Sequence, residues 1–326
     1  MKSFKKLLTI LLALLMVLVM AGCSEETGKG TEEDDQVIMY MIGGMPGGPA
    51  WGPAKTGFEL ACEELGWKGT YLAPTTAANQ IEIAELLTTA VTNGADVVLG
   101  LMYDEEMFSD VVKEYVEQGI VILGANVSVE ESNAKIGADA TEKGRLFAEG
   151  VLKTIPEGEH IYSVTMTTTF STAINESVDA YKAALIEARG EENVTVYDIL
   201  ECKSDTSLAY TNFGAFYLAH PECNVFISEN SYAALGIASY IQEYNLQDKI
   251  CALGIDDSEE ILQAVKDGYL DGTVSQNFYN IGYGGVYLAK KILDGEEYEW
   301  NNSSGTTLLW PEDVEAWAEK LGYTIK

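Results

Sequence analysis

The chain has 326 residues, 47% of them hydrophobic, and carries 51 acidic against 20 basic side chains for a formal net charge of −31. That length supports two separately cored domains. A surface so acidic repels phosphate backbones and anionic lipid headgroups, which argues against nucleic acid as a partner and against electrostatic attachment to a membrane. Lys2, Lys5 and Lys6 precede the apolar run Leu7 to Met20, and the small residues Ala21 and Gly22 follow. A basic start, a short apolar core and small residues predict a signal peptide over residues 1–22. Ser24 to Gln36 is acidic, glycine-bearing and nearly devoid of apolar residues, so residues 23–36 are expected to form a flexible tether.

Val37 to Ile42 is a continuous apolar run, hence a strand buried on both faces. A Gly/Pro loop, Gly43 to Pro49, leads to a helix from Trp51 to Leu65. Neither the dinucleotide spacing nor Gly-Lys-Ser/Thr is present there, so the loop is no phosphate cradle. Strands follow at Gly69 to Leu72, Val97 to Leu101, Ile120 to Gly124 and Ile136 to Asp139, with helices at Gln80 to Asn93, Glu105 to Gln118 and from Thr141. The pattern then restarts: strands at Ile161 to Met166, Val194 to Leu200 and Val225 to Ser228, and helices at Ala173 to Arg189, Ser207 to Ala219 and Ala233 to Tyr244. Elements alternating at about thirty residues spell βαβ units, and two successive runs imply two α/β lobes with a cleft between them. A short helical pattern (Val314, Trp317, Leu321) closes the chain on the second lobe. Four cysteines follow the tether. Cys62 shares a helix face with Phe58, Ala61 and Leu65, which favours a buried thiol, and Cys223 and Cys251 each begin a strand of one lobe and could pair. No Cys-x-x-Cys occurs, and His160 and His220 fall in no ligand-like cluster, so no metal and no cofactor are expected.

The most informative stretch runs from Ile250 to Glu297. Ile250 to Ile255 reads as a buried parallel strand that ends in Asp256-Asp257, at the sheet edge where open α/β folds bind ligands. After a helix and the turn Gly268-Tyr269-Leu270 comes Thr273-Val274-Ser275, too short for a full sheet strand, which ends in the amides Gln276 and Asn277. A second helix, Ile281 to Leu293, follows. Gly254-Ile255-Asp256, Gly268-Tyr269-Leu270, Thr273 to Gln276, and Ile281-Gly282 with Gly285 resemble the corresponding motifs of ribose- and galactose-type solute-binding proteins, which share the type I periplasmic-binding fold. Ala21-Gly22-Cys23 likewise resembles the bacterial lipobox, with Met20 where Leu is more usual, which implies lipidation of Cys23.

The resemblance implies an α/β fold of two doubly wound parallel-sheet lobes joined by a three-strand hinge. It places residues 37–140 and 278–297 in the first lobe and 141–277 and 298–326 in the second. Crossings are expected near Asp139 to Thr141, near Gln276 and near Asp294 to Trp300. The residues following each strand are Trp51, Tyr103, Asn126, Asn175, Asp205, Asn230, Asp256 and Gln276, and most fall on ligand positions of that family. The family's first loop stacks aromatics on sugar, and its hinge strand carries a ligand-binding Gln, which Trp51 and Gln276 match; a core role for Trp51 stays open. Asn175 and Asn230 equally suit turns, and Asp256 and Asp139 equally suit helix caps. The family's charged pair after the fourth strand and its Arg at the start of the second lobe are Ala125-Asn126 and Asn175 here. Amides in place of charged clamps suit a small neutral polar ligand, a sugar, polyol or nucleoside-like molecule.

The expected function is therefore a monomeric, lipid-anchored receptor on the extracytoplasmic face that delivers its solute to the permease of an ABC importer. A receptor presenting the solute to a membrane sensor kinase would share this sequence. An enzyme is disfavoured, because no nucleophile-His-acid set can be built from His160 and His220 and Asp256-Asp257 is sequential rather than opposed.

Overall fold

A computed structural model describes residues 36–168 and 172–326. The expected signal peptide, Cys23 and nearly all of the expected tether lie outside the described residues. The remainder builds two sheets. The first has six parallel strands in the order β12-β5-β4-β3-β1-β2, with β1 Ile38–Ile42, β2 Lys68–Leu72, β3 Val97–Gly100, β4 Val121–Ala125, β5 Ala134–Gly137 and β12 Asn301–Ser303. Its central strands are the apolar runs of the sequence, and Val97 to Gly100 and Val121 to Ala125 are buried at every position. A strand covered on both faces must be apolar throughout, because neither face meets water.

The second sheet runs β13-β11-β10-β9-β6-β7, with β6 Ile161–Thr167, β7 Val194–Val196, β9 Val225–Ser228, β10 Cys251–Ile255, β11 Gly272–Ser275 and β13 Thr307–Leu309. Leu200–Glu201 (β8) adds to β6, so the expected strand Val194 to Leu200 is broken in two. Every pairing is parallel except β11 with β13. Helices pack in pairs against each sheet. In the first lobe α1 (Gly48–Leu65) lies against α9 (Phe278–Leu293); in the second, α4 (Ala140–Thr154) lies against α5 (Thr172–Arg189) and α6 (Thr206–Ala219) against α7 (Ser231–Tyr244). The α1–α9 contact is backbone to backbone: a Cβ on Gly282 would stand 1.9 Å from the carbonyl oxygen of Ala54. Only glycine permits that approach.

The chain passes between sheets at 138–139, 276–277 and 304–306. Two of the sequence-based readings change here. Asn301–Ser303 pairs with β5 in the first sheet, so the third crossing falls beyond it rather than at residues 294–300. A three-residue polar edge strand leaves no apolar signal to read. Thr273 to Ser275, judged too short, is a buried strand held between β10 and β13.

The cysteine pairing also fails, since Cys62, Cys202, Cys223 and Cys251 are all free and buried. Cys251 sits opposite Val225 in the β9–β10 register, and the Cys223 thiol donates to the carbonyl of Tyr162 at 3.1 Å. Burial pushes the Cys62 and Cys223 thiols up to about 12 and raises those of Cys202 and Cys251 as well. These four thiols are therefore expected to stay unreactive toward a thiol-titrating disulfide in the native protein and to titrate fully in denaturant. Native reactivity of any of them would show that its site is open.

Candidate functional site

The C-terminal ends of the parallel strands in both sheets turn toward the boundary between the lobes, where they enclose a cavity of about 190 Å³. That is smaller than the ~300 Å³ at which pockets for drug-sized ligands begin, so it fits a molecule of about one ring. Two strand-end residues line it from the left-handed region, Asn126 (φ 69°) after β4 and Asp256 (φ 70°) after β10; Asn277 (φ 51°), just after Gln276, shares that conformation at the second crossing. Asn and Asp bear that conformation better than other side-chain-bearing residues, and such backbone concentrates where a side chain must be aimed.

The first lobe supplies a largely apolar wall. Trp51, 8% exposed on the first turn of α1, packs edge-on against Phe278 with ring centroids 5.2 Å apart. Leu101, Met45 and the ring of Tyr103 continue the surface. The Tyr103 hydroxyl is already spent, donating to the carbonyl of Ala78 at 2.7 Å, so this residue offers the cavity its ring.

The second lobe and hinge supply a polar wall. Asp256 is 3% exposed; its carboxylate accepts from Gln276 Nε2 at 2.8 Å and from the Ser231 hydroxyl. Gln276 Oε1 in turn accepts from Asn126 Nδ2 at 3.4 Å, and Asn126 Oδ1 fixes the first crossing by accepting from Ala138 N at 3.0 Å. Ser304 of the third crossing donates to the Gln276 carbonyl at 2.7 Å, so all three crossings are tied to this one network. Asn230 caps α7 through Oδ1 and donates from Nδ2 to Ser204 at 3.2 Å. Its turn role and its place at the cavity coexist.

Two expected residues do not reach the cavity. Asn175 is exposed on α5, and its neighbours Ala173 and Ile174 line the cavity instead. Asp205 is exposed and spends its carboxylate capping α6, accepting from Leu208 N at 2.8 Å, while Ser204 lines the cavity. The sequence also missed a buried ion pair. Lys143 Nζ, on the first turn of α4, stands 2.7 Å from Glu229 Oε2 after β9, with side chains 7% and 1% exposed. The other Glu229 oxygen accepts from Ser177 of α5. The cleft therefore does contain charge, but in an internally balanced pair. Glu229 at a strand end was legible in principle; Lys143 was not, because nothing in a helix pattern marks an inward lysine.

Burial pushes the Asp256 carboxyl up to about 6, against the lowering effect of the bonds from Ser231 and Gln276. A free aspartate titrates near ~3.9, so the folded state holds this proton where the unfolded chain releases it. The resulting stabilisation is complete below about pH 4 and is lost as pH rises to about 6. Asp257 and Asp271, raised by burial too, act in the same direction. The stability difference between wild type and Asp256→Asn is expected to shift against wild type between pH 4 and 6. Denaturant titrations across that range test it, and a pH-independent difference would refute it.

Residues 40–297 match the family model described as a periplasmic binding protein domain. The chain belongs to that family. Periplasmic binding proteins of this kind are extracytoplasmic solute-binding proteins and not enzymes. Among its relatives, the fructose import binding protein FruE of Bifidobacterium longum is 22% identical, with 92% of each chain covered. The xylose/arabinose-binding protein XylF of Sulfolobus acidocaldarius is 20% identical, covering 85% of this chain and 75% of the relative. A carbohydrate transporter solute-binding protein from Agrobacterium radiobacter, solved with D-arabinose, superposes with a TM-score of 0.78 at 18% identity, over 88% of this chain and 99% of that one.

Proposed function

We propose that this periplasmic binding protein is a lipid-anchored receptor that captures a small neutral sugar or sugar-like solute in the interlobe cleft and delivers it to the permease of an ABC importer. The observation that carries the reading is the two-sided cavity. An indole and a neighbouring phenyl ring face a wall of amides, a carboxylate and a hydroxyl, across a space of about 190 Å³. A pyranose or furanose has this two-sided character, with a C–H face for the rings and hydroxyls for the amides and Asp256. The Lys143–Glu229 pair cancels its own charge, so the ligand need not supply any. The names of FruE and XylF point to the same ligand class. Anchoring at Cys23 rests on the leader and on Ala21-Gly22-Cys23.

A thermal-shift screen over neutral sugars, polyols and nucleosides tests the ligand class, because a solute bound only by the folded state raises the melting temperature. At least one neutral sugar should do so, and uronates and sugar phosphates should not. A panel without any response from neutral sugars would overturn the reading. Mass spectrometry of the mature N-terminus tests the anchor, with a lipidated Cys23 expected and an intact Met1 contradicting it.

A further inference from the structure

Beside the main cavity lies a second chamber of about 120 Å³, on the hinge side. Asn126, Lys143 and Gln276 line both spaces and stand between them. The far wall is polar: Lys135, Asp139, Thr141 and Glu176, one cation, one hydroxyl and two anions able to donate to and accept from hydroxyls. It contrasts with the aromatic wall around Trp51.

The partition is weakly made. Asn126 Nδ2 and Gln276 Oε1 are 3.4 Å apart, beyond the usual ~2.9–3.0 Å of an N–H···O bond, so a bridging oxygen could take over both partners at little cost. Lys143 completes the divider. Among the described residues its ammonium is paired with Glu229 alone, which uses one of three N–H groups and leaves two for a guest. A buried ion pair gains little for stability, so its position between two chambers calls for another role.

Resting on the sugar reading above, we propose that the hinge-side chamber is a second subsite of the cleft. Lys143 holds the ligand where the chambers meet, and the ligand is a disaccharide or other O-substituted sugar rather than a free monosaccharide. One ring stacks at Trp51, the linking oxygen accepts from Lys143, and the substituent meets Asp139, Thr141 and Glu176.

Calorimetry on the whole chain decides it, using D-xylose, D-arabinose, D-glucose and D-galactose, each beside its methyl glycoside and a disaccharide in which it is a terminal unit. The tightest disaccharide should bind at least tenfold more strongly than its own monosaccharide. Thr141→Trp, at an exposed position of α4, should fill the side chamber and cost the disaccharide tenfold or more while leaving the monosaccharide unaffected. Glu176→Trp, exposed on α5, provides an independent obstruction should the first variant fold poorly. Monosaccharide binding at least as tight as disaccharide binding, with both variants inert, overturns the subsite and leaves the sugar reading standing. Binding of no sugar of either size overturns both.

Discussion

Glu229→Ala is expected to destabilise the protein by about 3–5 kcal/mol, a large fraction of the stability of an ordinary domain. The change strands Lys143, whose side chain is 7% exposed, without the carboxylate 2.7 Å away, and it frees the Ser177 hydroxyl that the same carboxylate accepts. The cost is that of an uncompensated buried charge, not the worth of the pair. The double variant Lys143→Met/Glu229→Leu should therefore recover most of the loss, since apolar groups of similar volume replace a buried pair at little cost. Urea denaturation of the three proteins is the test, and a single variant that unfolds at the wild-type midpoint would show that water reaches Lys143.

Trp51→Ala is expected to weaken sugar binding ten- to a hundredfold. An indole that covers the C–H face of a ligand contributes about 1.5–3 kcal/mol through buried area and stacking. The sequence reading places Trp51 at a ligand-supporting edge and leaves a core role open. The structure shows it also packed on Phe278, inside the apolar cluster of the first lobe. Its removal should therefore lower stability as well, by about 3–5 kcal/mol. Gln276→Ala separates the two effects, because its side chain packs no apolar core and bonds Asp256 and Asn126. It should weaken binding by about 1–3 kcal/mol through unpaired hydroxyls in a dry cleft. Calorimetry on both variants, with melting curves beside it, checks the division; wild-type affinity in either would remove that residue from the site.

The architecture was legible because parallel strands buried on both faces must be written as continuous apolar runs, such as Val97 to Gly100 and Val121 to Ala125. Cavity-lining residues at strand ends were legible for the same reason: once a run ends, the next polar residue stands at the cleft, as Asn126, Asn230 and Asp256 do. Helix faces were less readable. A helix turns by about 100° per residue, so placing the first turn of α5 one position wrong exchanges Ile174 for Asn175. Asp205 failed differently, because its carboxylate had a local use in capping α6 that strand-end position does not reveal. Lys143 and Glu229 lie on elements far apart in sequence, and only packing of α4 beside β9 joins them. The strand Asn301–Ser303 escaped because its pairing is a backbone matter and its side chains stay largely outside any core.

The central claim is that two lobes close on one small neutral solute. Three crossings connect them, and the contact from the Tyr232 hydroxyl to the Met45 sulfur across the cleft, at 3.5 Å, is weak enough to part when the cleft is empty. Small-angle scattering of the mature chain, with and without a saturating concentration of the sugar that most raises its melting temperature, tests this most directly. A smaller radius of gyration in the presence of the sugar is predicted; an unchanged radius at saturation would contradict closure about these hinges.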